Sequence, residues 1–219
     1  MDAKQLFFLE HARAHSLEMQ RGDGGSLDMF LRGGAEGRHL ADRLEDAALF
    51  GLTEEQLRIT PSAGQNPIVW LLWHMARTED VMLNILVAGR PQLVNEDGWA
   101  ERLHVSLSDV GAGMKDDAVS DFTARIDVPA LRAYRAAVGC RSREIVESLT
   151  PEDLEAPVEG AHLERALAEG VLGENTGWVR DFWRDRRKAW CLSLVNGHNY
   201  LHIGEAFCVR SQAGLALGA

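Results

Sequence analysis

The stretch Asn196-Gly197-His198-Asn199-Tyr200-Leu201-His202-Ile203-Gly204-Glu205-Ala206-Phe207-Cys208-Val209-Arg210 is the one around which the rest of the chain is arranged. It has helical character, and it places His198 and His202 four residues apart. At roughly 100° per residue, positions i and i+4 stack on one face, one turn apart. Two imidazoles so placed can hold one metal ion, which prefers neutral ring nitrogens at about 2.0–2.1 Å. Glu205 continues the same stripe one turn beyond His202, whereas Cys208 falls roughly 80° off it and is not counted as a ligand. A histidine pair is half a site. A catalytic tetrahedral centre takes three protein ligands and keeps a position open, so a third ligand is expected from another element, and His74 is the natural candidate.

His74 lies in a second helical segment that follows Asn66-Pro67, an N-cap residue before a proline at the first helical position. Apolar residues at Ile68, Leu71, Leu72, Met75, Val81, Met82, Ile85 and Leu86 carry the helix over 66–88, toward Gly89 and Pro91. A third helix is expected over 127–149. Asp127 caps it, and Leu131, Tyr134, Val138, Ile145 and Leu149 form its core-facing stripe. The fourth runs over 188–212, as the end of helical character that returns at Trp178. The remaining long helix is expected over 26–50, with Leu40, Leu44, Ala47 and Ala48 as its clearest stripe. A short helix over 4–20 precedes it, with residues 1–25 as an N-terminal extension and 26–219 as the main domain. Thr53 and Gln56 have capping-box spacing. A similar phrase, Leu149-Thr150-Pro151-Glu152-Asp153-Leu154, recurs 97 residues after Leu52 and hints at two related halves.

Residues 90–126 read as a long connection with a short helix at Asp116 to Arg125, able to join two parallel bundle helices end to end. Its Gly111-Ala112-Gly113 run is a turn signal. His104, in this connection, is a spare ligand only. Residues 155–177 form a second loop-rich stretch with a short helix at His162 to Glu169. His39 and His162 are expected on the surface. Gly197 and Gly204 each cost roughly 1 kcal/mol of helix propensity, and their expected use is close approach of a neighbouring helix or of the metal side. No strand alternation is present. The pattern is all-α, a four-helix bundle with a long crossover, and bundle cores are where metal sites are built from inward side chains.

Composition narrows the function. A net charge of −10 argues against a nucleic-acid partner, because phosphate contacts need clustered Lys and Arg. The densest basic run, Arg180 to Lys188, is interrupted by Asp181 and Asp185 and reads as a solvated helix face. Nothing approaches 18 consecutive apolar residues, so no membrane span is expected, and residues 1–20 are not a signal peptide. A cytoplasmic location follows as the expectation. Cys140, Cys191 and Cys208 form no C-x-x-C pair and are expected as reduced, buried structural thiols.

Trp70-Leu71-Leu72-Trp73-His74-Met75-Ala76-Arg77-Thr78-Glu79-Asp80, together with His198-x-x-x-His202-x-Gly204-Glu205 and Arg210, resembles the DinB-like four-helix-bundle superfamily. That group includes mycothiol- and bacillithiol-dependent S-transferases and mycothiol-dependent maleylpyruvate isomerases. The resemblance covers roughly residues 27–212, and the N-terminal extension and the long 90–126 connection depart from its plainest members. It implies three metal-site histidines at His74, His198 and His202, a divalent zinc or nickel ion, and a homodimer. The function expected on these grounds is metal-dependent transfer of a low-molecular-weight thiol to an electrophilic small molecule. Glu205 is then a candidate to orient a ligand histidine or act on a proton, and Arg210 a candidate to meet an anionic substrate group. No catalytic base stands out. Metal-assisted hydrolysis and a stress-related metal-binding protein without catalysis are the alternatives. A bundle whose histidines merely hydrogen-bond in a polar core is the plain structural one.

Overall fold

The computed structural model describes residues 40–62, 64–106, 108–173 and 176–215. The expected helix over 4–20, the extension to residue 25, the first part of the 26–50 helix and His39 lie outside the described residues. Within them every named element is helical. The long members are α1 (Leu40–Leu49), α3 (Ile68–Asp80), α6 (Val128–Ser148) and α10 (Lys188–Gln212). Between them stand α2 (Glu54–Leu57), α4 (Trp99–Arg102), α5 (Asp116–Arg125), α7 (Pro151–Glu155), α8 (Gly160–Ala168) and α9 (Gly177–Trp183). The helix of α3 continues without a break into a π-helical segment, Val81–Val87.

Every residue from Ile68 to Val87 is buried. A helix that is buried all round belongs at the centre of a packed structure, and α3 is that centre, flanked by α6 and α10. Its first half shares a cluster with Leu131, Tyr134 and Val138 of α6 and with Ile203, Ala206 and Val209 of α10. Its π-helical half shares another with Ile145 and Val146 of α6 and with Cys191, Leu192 and Val195 of α10. Hence α3 and α6 run parallel, α10 runs antiparallel to α3, and the crossover from 88 to 127 spans the bundle. Fully buried Leu71, Leu83 and Ile85 each contribute roughly 1.5–3 kcal/mol of apolar burial.

Polar groups on so buried a helix are costly unless paired, and Arg77 and Asp80 of α3 find partners that tie the crossover down. Asp80, at the junction with the π-helical segment, accepts from five donors: Arg77 Nη1 (3.1 Å), Tyr134 OH (2.5 Å), Asn84 Nδ2 (2.8 Å) and the backbone amides of Leu93 (2.8 Å) and Val94 (3.0 Å). Arg77 also donates to Gln92 Oε1 and, at 2.8 Å, to the Ser108 carbonyl. Burial, with the Asp80 carboxylate beside it, raises the Tyr134 pKa well above the usual range, so its hydroxyl stays protonated and donates.

Several sequence expectations need correction. Asn66 is not the cap of α3. Pro67 occupies that position (φ −67°, ψ 156°), and its carbonyl takes the Trp70 amide at 3.0 Å and the Leu71 amide at 3.1 Å. The helix from Trp178 into the histidine segment is broken at 184–187, where Asp185 takes φ +56° and Arg187 pairs with Pro157 as an isolated antiparallel bridge. The basic run therefore straddles a turn rather than covering one helix face. Cys140 and Cys208 are exposed, and only Cys191 is buried. Burial pushes the Cys191 thiol up to about 12, which leaves it inert. Both capping boxes form as expected: Gln56 N donates to Thr53 Oγ1 at 3.3 Å and Asp153 N to Thr150 Oγ1 at 3.2 Å. The helix expected at Asp116 to Arg125 is α5.

Candidate metal centre

The antiparallel pairing of α3 with α10 brings His74 opposite His198 and His202. His74 Nε2 and His198 Nε2 lie 3.0 Å apart, and one ring nitrogen from each of the three falls within 4.8 Å of the others. The ring centroids are 4.4–4.9 Å apart, with the imidazoles steeply inclined to one another. Nitrogens arranged on this scale could hold a divalent ion at the usual nitrogen–metal distance of about 2.0–2.1 Å.

Two of the rings are fixed by what their other nitrogen touches. His74 Nδ1 meets the Val110 carbonyl, an acceptor only, so the proton sits on Nδ1 and Nε2 keeps its lone pair. His202 Nδ1 meets Glu205 Oε2 at 2.8 Å, which likewise leaves its Nε2 for a ligand. A carboxylate or a backbone carbonyl behind a ligand imidazole is the usual support of a metal site. Burial lowers the His74 pKa to about 4. Burial, with His74 and His202 beside it, lowers that of His198 to about 2. Both rings are therefore neutral at ordinary pH, the state in which imidazole binds a metal. The chemistry of the donor set fits a metal, and His202 and Glu205, both half-buried, open it to solvent.

The loop that delivers the Val110 carbonyl is shaped by Gly111. Its φ is +84°, and a Cβ there would lie 2.5 Å from Trp73 Cζ3 and 3.0 Å from Trp70 Cζ2. Only glycine lets the backbone press this closely on the two indoles while in the left-handed region. Trp70 in turn stacks on His74 (centroids 4.7 Å, 19° between planes) and donates its Nε1 to Met114 Sδ at 3.4 Å. The Val110 amide is held by the Val171 carbonyl at 2.9 Å and the Gly111 amide by Asp109 Oδ1 at 2.6 Å.

The structure thus brings together His74, His198, His202 and Glu205. It sets Arg210 apart. That side chain is buried and donates to the Ala48 and Ala47 carbonyls at 3.0 and 3.3 Å, holding the end of α1 rather than facing the histidines. His104 is exposed on the crossover, outside the cluster. His162, expected on the surface, is half-buried against the Leu86 carbonyl and Gly89. A Cβ added at Gly197 or Gly204 would meet nothing within 4 Å, so neither a neighbouring helix of the described residues nor the metal side explains these glycines. The Val110 carbonyl escaped the sequence reading, since a backbone group carries no residue signature. The Gly111-Ala112-Gly113 run was its one visible trace.

Comparison with known proteins bears on the fold. Curated protein sequences give no match. Among solved structures, the chain is similar to a conserved protein from Enterococcus faecalis. The TM-score is 0.57 at 17% identity, over 79% of this chain and 92% of that one, a likeness in fold. The family model of the DinB superfamily matches residues 38–206, a span that holds His74, His198, His202 and Glu205 together with the helices that position them. With most of its length inside that match, the chain belongs to the DinB superfamily.

Proposed function

We propose that the protein is a divalent-metal-dependent transferase that moves a low-molecular-weight thiol onto an electrophilic small molecule, with His74, His198 and His202 as the ligands of a zinc or nickel ion. The observation that carries this reading is the convergence of three imidazoles, two of them kept neutral by burial and two with their Nδ1 already committed to an acceptor. A divalent ion held by these three residues would supply positive charge that favours the thiolate form of a thiol. The chain's own residues do the positioning. The Val110 carbonyl and the Glu205 carboxylate hold two rings in one tautomer and orientation. Trp70 covers one face of His74, and burial keeps His74 and His198 from taking up protons.

Elemental analysis of the purified protein, beside His74→Ala and His202→Ala, comes first. About one zinc or nickel per chain, lost in both variants, is the expected result. Turnover of a thiol-reactive electrophile is then followed with and without added thiol, in metal-loaded and chelator-treated protein. Equal rates in the two preparations would refute metal dependence. Turnover that ignores the thiol would instead make the protein a hydrolase, and metal uptake without any turnover would make it a binding protein.

A further inference from the structure

The outward face of α10 is apolar and carries no charge. Trp190, Leu194, Gly197, Leu201, Gly204 and Cys208 follow one another by steps of four and three, so they fall within about 80° of one another round the helix. Leu201 is 75% exposed, Gly197, Gly204 and Cys208 are exposed, and Trp190 and Leu194 are half-buried. In a chain of which 26% is charged, only Lys188, Glu205 and Arg210 among the 25 residues of this helix carry charge. Arg210 is buried and turned to α1. Depletion of charge at the centre of an exposed surface is the compositional mark of a protein interface.

Two glycines and two aromatic rings point the same way. Gly197 and Gly204 lower the helix propensity of α10, and a Cβ at either would meet nothing within 4 Å, so no contact among the described residues calls for them. They form notches on either side of Leu201, one turn before it and one turn after. Phe182, its ring centroid 5.0 Å from that of Trp190, is 41% exposed, and Trp178, one turn back on α9, is 66% exposed. The apolar surface thus continues from α10 onto α9.

What fits this face is the face itself. The spacing of the six positions reads the same in both directions about residue 199. In an antiparallel two-fold pair centred there, each large residue comes level with a small one: Leu201 with Gly197, Leu194 with Gly204, and Trp190 with Cys208. A two-fold interface demands such self-complementarity, because one patch serves both copies.

We propose that two copies of the chain associate through this face, α10 against α10, antiparallel about a two-fold axis level with Asn199, the leucines of each copy seated at the glycines of the other. The strip from residue 190 to 208 is roughly 27 Å long and 10 Å wide. That is less than the roughly 800 Å² each partner gives to a standard interface, and the α9 aromatics extend it at both ends of the pair. Glu205 lies roughly 40° round the helix from Leu201, so the seated copy borders the open side of the histidine cluster. The association does not depend on whether those histidines hold a metal.

The test is sedimentation velocity of the full chain over about 1–500 µM, in reductant, so that the exposed Cys140 and Cys208 form no cross-link. The parent should be dimeric at the top of that range. Leu201→Arg should weaken association about a hundredfold or more, because a two-fold pair feels each substitution twice. Gly197→Leu, which fills the notch that receives Leu201, should weaken it comparably. Gly197→Leu combined with Leu201→Gly exchanges knob and notch, and should bring association back to within about tenfold of the parent. Position 197 has open space and Leu201 faces solvent in the single chain, so neither single variant should have a lowered thermal midpoint when monomeric. A parent that stays monomeric throughout, a Leu201→Arg or Gly197→Leu protein that dimerises like the parent, or a double variant no better than Gly197→Leu alone overturns the proposal.

Discussion

Replacing Gly111 by alanine tests whether the crossover loop is what fixes the metal site. Two costs add. An alanine at φ +84° pays for the left-handed region, about 1–2 kcal/mol. Its Cβ would also sit 2.5 Å from Cζ3 of Trp73, a side chain with no solvent exposure and hence no room to swing away. Forcing a methyl into such packing costs about 1–3 kcal/mol more. The sum, about 2–5 kcal/mol, corresponds to a fall of about 1–2 M in the urea midpoint for a slope of about 2–3 kcal/mol per M. If the loop relieves the clash by backing off, the Val110 carbonyl leaves His74 Nδ1, and loss of such a support weakens metal binding by about 10–100-fold. The assays are urea unfolding of the metal-free protein followed by tryptophan fluorescence, and zinc affinity by chelator competition. Gly197→Ala is the control, next to His198 yet with open space at its Cβ, and should be neutral or stabilising by up to about 1 kcal/mol. A Gly111→Ala protein with the parent's zinc affinity and a midpoint within about 0.3 M of it would refute the reasoning.

Removal of the Glu205 carboxylate in Glu205→Ala should cost about 10–100-fold in zinc affinity, with Glu205→Gln between it and the parent, because an amide oxygen still accepts from His202 Nδ1; equal affinities in chelator competition would show that the carboxylate does not support the ring. Asp80→Asn leaves Arg77 buried without its counter-charge and should lower stability by about 3–5 kcal/mol, read from urea unfolding; a loss under about 1 kcal/mol would mean that the network is not a stability element. The metal-free protein should be acid-sensitive. His74 at about 4 and His198 at about 2 both fall below the ordinary 6.5, so the unfolded chain binds more protons; stability is complete above about pH 6.5 and falls as pH drops below it. Between pH 7 and pH 5 each histidine accounts for on the order of 2 kcal/mol, and a urea midpoint that holds or rises at pH 5 would contradict the burial described for the two rings.

The fold and the three histidines were readable because both depend on helical period. His198 and His202 stack at i, i+4, Glu205 follows at i+3, and the apolar stripe of α3 marks a helix that has to be buried. What the period cannot encode stayed hidden. The same apolar spacing fits an α-helix and the π-helical segment over Val81–Val87. Arg77, Glu79 and Asp80 are residue types found mostly on surfaces, and their burial follows from partners 54 to 57 residues away on α6 and 13 to 31 residues away on the crossover. The break at 184–187 rests on Asp185 in the left-handed region, which aspartate tolerates without announcing it. Exposure of Cys140 and Cys208 was misjudged for a related reason: cysteine's general preference for burial says nothing about which face of a given helix it occupies.

The two facing Nε2 atoms of His74 and His198 belong to residues 124 positions apart in the chain. During synthesis at about 5–20 residues per second, the first of them waits roughly 6–25 s before the second is even joined to it. In that interval the growing chain offers an ion one imidazole from the central helix and none from the last. If the three histidines hold an ion, its capture has to follow the arrival and docking of the final helix, and a chain cut short before residue 198 would lack two of the three imidazoles.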